Sequence, residues 1–136
     1  MKFSPNGNML AYTESLPSGG SSDAMLYKFD TQIGTTELIT NLPIDSLEGE
    51  YQYGLSFSPN SKLLYIGSVL NRINSGNKIE VYQYNISSPN IKQSKQTVFS
   101  KPLVQNGNQV VFGSIQNAPN GKIYIAKAAT GGSSAD

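Results

Sequence analysis

Two short segments carry most of the chemistry that this chain can offer. In the first, Asp45, Glu48 and Glu50 run into Tyr51 and Tyr53; in the second, Asn71 stands beside Arg72, the sole arginine. Three carboxylates this close could gather oxygen ligands for Ca²⁺. A pair of them could also serve as the acid and base of a glycosidase. Neither pattern is complete. The spacing matches no EF-hand loop, nothing fixes a separation between two carboxylates, and Glu48-Gly49-Glu50 reads more simply as a solvated turn. What remains is a binding set. Tyrosine and arginine are the side chains that most often anchor interfaces, Arg72 can pair with a partner carboxylate, and the acids supply a polar rim.

Other chemistries lack their residues. The chain has no cysteine and no histidine, so it cannot build a common zinc site, a thiolate nucleophile or a Ser-His-Asp triad. The glycine-rich pieces Ser18-Gly19-Gly20-Ser21 and Thr130-Gly131-Gly132-Ser133 do not fit a phosphate-binding loop and precede no helical pattern. A net charge of +1 excludes a generally basic nucleic-acid binder. Charge is uneven, however: residues 1–50 hold seven acids and two bases, whereas the remainder holds two acids and eight bases. Scatter over solvated loops accounts for this. No cofactor is implied. The apolar runs, such as Leu63-Leu64-Tyr65-Ile66, are too short to span a bilayer as a helix, and Pro5 and Asn6 interrupt the place of a signal peptide's apolar stretch.

The elements that would position these residues are repeated. Phe3-Ser4-Pro5-Asn6-Gly7 precedes Met9-Leu10-Ala11-Tyr12; Phe57-Ser58-Pro59-Asn60-Ser61 precedes Leu63-Leu64-Tyr65-Ile66; Asn117-Ala118-Pro119-Asn120-Gly121 precedes Ile123-Tyr124-Ile125-Ala126. Proline presets φ and Asn-Gly tolerates positive φ, so each copy reads as a β-hairpin. Leu26-Tyr27-Lys28-Phe29-Asp30 likewise matches Val81-Tyr82-Gln83-Tyr84-Asn85, and strand-like runs follow at 36–40 and 96–100. The unit is four antiparallel strands, which in the second copy fall near 53–58, 62–69, 78–86 and 95–100. Such a unit, repeated every 50–60 residues, is what a propeller blade looks like. The expected fold is all-β: a partial β-propeller of about two and a half four-stranded antiparallel blades in one domain over 1–136. Residues 1–42 and 53–100 make blades and 111–128 a half blade. A ring needs more, so the chain reads as a piece of a larger propeller that supplies the remaining blades. Cut edges would favour self-association. Tyr12, Tyr27, Tyr65, Tyr82, Tyr84 and Tyr124 recur at matching strand positions, which points to packing between sheets.

These turn and strand motifs resemble WD40-like or YVTN-type propeller repeats. The run Gly113-Ser114-Ile115-Gln116-Asn117-Ala118-Pro119-Asn120-Gly121-Lys122-Ile123-Tyr124-Ile125-Ala126 and the strand Val81-Tyr82-Gln83-Tyr84-Asn85 are similar to propeller regions of large Bacteroidetes surface proteins. Those proteins often carry PKD-like domains and a gliding-motility-associated C-terminal sorting domain. The resemblance implies export by the type IX system and a place on the cell surface or outside the cell. It favours a non-catalytic binding or scaffolding module that contacts protein or glycan through its inter-blade connections, at 43–53 and 101–109, and the second-to-third-strand loops on the same face, at 16–23 and 70–77. The alternative is an enzyme similar to YVTN-type lactonases, for which the expected innermost strands, 53–58 and 111–117, offer only Ser56, Ser114 and Gln116.

Overall fold

A computed structural model describes residues 1–13, 23–42, 50–102, 104–105 and 108–130. They form eleven strands in three antiparallel sheets. The first sheet is a meander of β1 (Lys2–Phe3), β2 (Met9–Thr13), β3 (Ala24–Asp30) and β4 (Thr35–Leu42). The second repeats it with β5 (Glu50–Phe57), β6 (Leu63–Leu70), β7 (Lys78–Asn85) and β8 (Gln96–Pro102). The third holds β10 (Asn108–Asn117) and β11 (Ile123–Thr130), with β9 (Val104–Gln105) on the other side of β10. The short β9 pairing is one element that the sequence pattern does not announce. A single 3₁₀ turn, Lys92–Ser94, interrupts the β7–β8 connection.

The Pro-Asn turns explain why these segments become hairpins. In each, an N–H closes a type I turn on the carbonyl three residues back: Gly7 to Ser4 at 2.8 Å, Ser61 to Ser58 at 2.9 Å, and Gly121 to Ala118 at 3.0 Å. The donors sit at φ of 74°, 57° and 75°, the left-handed region that follows such a turn in a hairpin. The asparagine side chain then clips the far side. Its Oδ1 accepts from Asn8 N at 3.2 Å in the first turn, from Lys62 N at 3.1 Å in the second and from Lys122 N at 3.0 Å in the third. In the first two turns the preceding serine adds a hydroxyl bridge. Ser4 Oγ and Ser58 Oγ each donate to that asparagine oxygen at 2.7 Å and accept from Met9 N at 3.0 Å and Leu63 N at 2.9 Å.

The third turn has Ala118 in place of that serine, and it is one residue shorter. Phe3 pairs with Leu10 and Phe57 with Leu64, but Asn117 pairs with Ile123. A shift of one residue exchanges the two faces of a strand. Ile123 and Ile125 therefore occupy the positions of Leu64 and Ile66, and Tyr124 takes that of Tyr65.

Alternation along the strands gives every sheet two faces, and the sheets stack face to face. Between the first and second sheets lies a cluster of Ala11, Ala24, Leu26 and Leu42 with Leu55, Phe57, Leu64, Ile66, Tyr82 and Tyr84. Between the second and third lie Val69, Ile79, Val81 and Ile115, joined by Tyr65, Phe99, Ile123 and Ile125. The same strands thus recur at both contacts, and each fully buried Leu, Ile or Phe contributes roughly 1.5–3 kcal/mol. Polar links also cross the contacts. Asn6 N donates to Ser61 Oγ at 3.1 Å, Lys92 Nζ donates to Asn41 Oδ1 at 2.8 Å, and Asn117 Nδ2 donates to the Phe57 carbonyl.

Candidate functional site

Antiparallel order puts the three Pro-Asn turns at one end of the strands and gathers Thr13, Asp23, Leu42, Glu50, Leu70, Lys78, Pro102 and Thr130 at the other. The sequence-derived binding set belongs to that second end. Glu50, Tyr51 and Tyr53 lie on β5, where Glu50 pairs with Leu70 and Tyr51 with Val69. A bulge between Gln52 and Gly54 shifts the register there, so Tyr53 stands in the irregular stretch. Asp45, Glu48, Asn71 and Arg72 lie outside the described residues. The strands nevertheless set where their segments attach. The 43–49 connection leads into Glu50, and Leu70, which opens the 71–77 connection, pairs directly with Glu50. Both halves of the binding set are therefore tethered to one rung of the β5–β6 ladder.

The described carboxylates with resolved partners are engaged in structural bonds. Asp30 Oδ1 accepts from Gln32 N at 2.8 Å and Ile33 N at 3.3 Å, which shapes the β3–β4 turn. Asp23 Oδ2 accepts from Asn41 Nδ2 at 3.1 Å. Glu80 accepts from Tyr82 Oη and from Ser100 Oγ, both at 3.0 Å. No group of three or more metal-ligating side chains occurs among the described residues. None of their helices is long and apolar enough to cross a membrane.

A second candidate emerges where β1, β2, β5 and β10 converge. A cleft of about 350 Å³ opens there, lined by Met1, Lys2, Thr13, Gly54, Leu55, Ser114 and Ile115. Sequence reasoning pointed to Ser56, Ser114 and Gln116 on these strands. The structure separates them: Ser56 is buried, its hydroxyl turned to the Phe57 carbonyl at 3.4 Å, whereas Ser114 and Gln116 are not buried. Only Ser114 lines the cleft. Lys2 and Thr13 were missed because neither belongs to a recognisable motif. A lysine, a threonine and a serine around an apolar floor can hold a polar ligand, but they supply no paired acid and base.

The tyrosines divide by face. Tyr82 and Tyr84 are buried between the first two sheets, and Lys95 Nζ lies 3.9 Å from the Tyr82 ring centre. Tyr12 stacks on Tyr27 with centroids 5.9 Å apart. Burial pushes the Tyr65 hydroxyl above the ordinary tyrosine value of 10.0. Tyr124 remains 54% exposed. Most are thus packing residues between or within sheets.

No family model, curated protein or solved structure matches the chain.

Proposed function

We propose that the chain is a non-catalytic binding and scaffolding module of the β-propeller kind, about two and a half blades long, from an exported or cell-surface bacterial protein. The observation that supports this reading best is the repeat in space. Two consecutive four-stranded meanders and a three-stranded sheet after them stack through equivalent strands, with short clipped turns at one end and long connections at the other. A rigid stack that spends its sequence variation on one set of connections is a scaffold for recognition. The resemblance of the repeats to those of Bacteroidetes surface proteins supplies the cell-surface setting. Tyr51, Tyr53 and Arg72 would anchor a protein or glycan, with Asp45, Glu48, Glu50 and Asn71 around them.

The test pairs the double variant Tyr51→Ala, Arg72→Ala with a turn variant, Asn120→Ser, in binding to glycan arrays and purified bacterial surface proteins. The reading expects binding to fall with the first and to survive the second, both proteins remaining folded. Binding lost only with the turn variant would place recognition at the wrong end. Saturable opening of lactones by the purified chain would replace the reading with the enzyme one.

A further inference from the structure

The three Pro-Asn turns place the same asparagine before different residues: Asn6–Gly7, Asn60–Ser61 and Asn120–Gly121. An asparagine followed by glycine is open to attack on its own side chain, because no Cβ shields the next backbone nitrogen. Folding holds that attack off. In each turn the nitrogen in question donates to the carbonyl three residues back, while asparagine Oδ1 accepts from the N–H two residues on. The first two turns add the serine bridge. Ser4 Oγ and Ser58 Oγ donate to asparagine Oδ1 at 2.7 Å and accept from Met9 N and Leu63 N, so the carboxamide turns away only when further bonds break. The third turn has Ala118 at that place and lacks the bridge. Asn120 Nδ2 donates instead to Tyr124 Oη at 3.1 Å, an exposed bond that water can replace. Asn60 is thus guarded by the Ser61 Cβ and by a bridge, Asn6 by a bridge alone, and Asn120 by neither.

We propose that Asn120–Gly121 is a self-modification site of the folded chain. When the turn opens, Gly121 N attacks Asn120 Cγ. The new N–Cγ bond forms, the Cγ–Nδ2 bond breaks, and Nδ2 leaves as ammonia with the glycine amide proton. The succinimide ring then takes up one water. Opening at Cγ gives aspartate; opening at the main-chain carbonyl gives isoaspartate, in which the backbone runs through Cγ. Either product places a negative charge two residues from Lys122. Isoaspartate also lengthens the backbone inside a turn that Gly121 N and Ala118 N close, at 3.0 Å and 2.9 Å, so it unclips the third hairpin. The rate follows how readily each turn opens locally, and that is where the three turns differ. The inference stands on the turns and does not depend on what the loop end binds.

The full 136-residue chain is held in mildly alkaline buffer at physiological temperature, and conversion at each turn is read by digestion and mass spectrometry, which separates the turns from Asn106–Gly107. Asn120 is expected to convert about tenfold or more faster than Asn6, the factor that two ordinary hydrogen bonds supply, with Asn60 slowest. In concentrated urea, where both Asn-Gly pairs are open, their rates should converge. Ser4→Ala is expected to raise Asn6 toward the rate of Asn120. Ser61→Gly should raise Asn60 only to the rate of Asn6, since its bridge remains. A ratio of Asn120 to Asn6 in the folded chain no greater than in urea overturns the proposal. So does an Asn6 rate unmoved by Ser4→Ala, or an Asn60 that matches Asn120 once Ser61→Gly is made.

Discussion

Gly67 offers the sharpest check on the packing of the second sheet against the third. It lies in β6, paired with Gly54 on one side and Val81 on the other. A Cβ placed on it would stand 3.1 Å from Ile115 Cδ1 and 3.7 Å from the Gly54 carbonyl oxygen. Carbon contacts settle near 3.5–4.0 Å, so the isoleucine terminus would have to yield by several tenths of an ångström. Ile115 is 1% exposed and has little room to do so. Overpacking of this kind costs about 1–3 kcal/mol, while replacing glycine by alanine within a strand returns roughly 0.5–1 kcal/mol. Gly67→Ala should therefore destabilise by about 0.5–2 kcal/mol. Ile115→Val removes the offending methyl and by itself costs roughly 0.5–1.5 kcal/mol. Together the two changes exchange one methyl for another across the same contact, so the double variant should lie within about 0.5 kcal/mol of the parent. Urea unfolding of the four proteins gives the coupling directly. Additivity within roughly 0.5 kcal/mol would mean that the two residues do not meet, and the stacking described above would be wrong.

The turns and one tyrosine give further expectations. Ser58→Ala strips the Leu63 N–H of its hydroxyl partner and should cost about 1–2 kcal/mol, measured by thermal unfolding; Ala118→Ser restores the hydroxyl without the longer turn that it bridges and should gain nothing. Ser61 holds a left-handed backbone and accepts from Asn6 N, so Ser61→Ala should lose roughly 1 kcal/mol while Ser61→Gly, which relieves the backbone as it loses the bond, should fall near neutral; equal losses in the two would refute a role for the strain. Because burial raises the Tyr65 pKa, the folded state holds that proton more tightly than the unfolded state. The associated stability is complete below the ordinary value of 10.0 and is lost as the pH rises through the folded value. The loss of stability in alkali should accordingly be shallower for Tyr65→Phe, as read from urea midpoints across that range.

The hairpins were legible because their cause is local. Pro5, Pro59 and Pro119 with their following asparagines dictate a turn, and alternating apolar residues on both sides dictate paired strands. The strand bounds in the second sheet agree with the expected ones to within three residues at each end. The third hairpin shows where such reading stops. Aligning the prolines sets Ile123 beside Leu63, but the turn is shorter and Ile123 stands where Leu64 does. The signal was Ala118, whose missing hydroxyl leaves the longer turn without its bridge. The pairing β9 makes with β10 is equally hidden, since two residues carry no period. As for function, no motif announces the cleft at Lys2, Thr13 and Ser114. It arises from residues brought together across sheets, and separation along the chain conceals them.

Side-chain volume at the sheet contacts has a genealogical consequence. Where the first sheet meets the second, small residues such as Ala11 and Ala24 share a cluster with the large rings of Tyr82 and Tyr84. Where the second meets the third, Tyr65 stands at the position of Ala11 and faces Ile123 and Ile125, the counterparts of Leu64 and Ile66. The two seams therefore differ in bulk on the side of the preceding sheet. Units copied by gene duplication begin interchangeable, but changes of this sort make each seam fit only its own pair. A shuffled order would bring Ala11 to the place that Tyr65 fills and leave a void, or Tyr65 to the place of Ala11 and force a clash. Once such changes accumulate, recombination among the units becomes unproductive, and an array that grew by copying becomes locked in sequence.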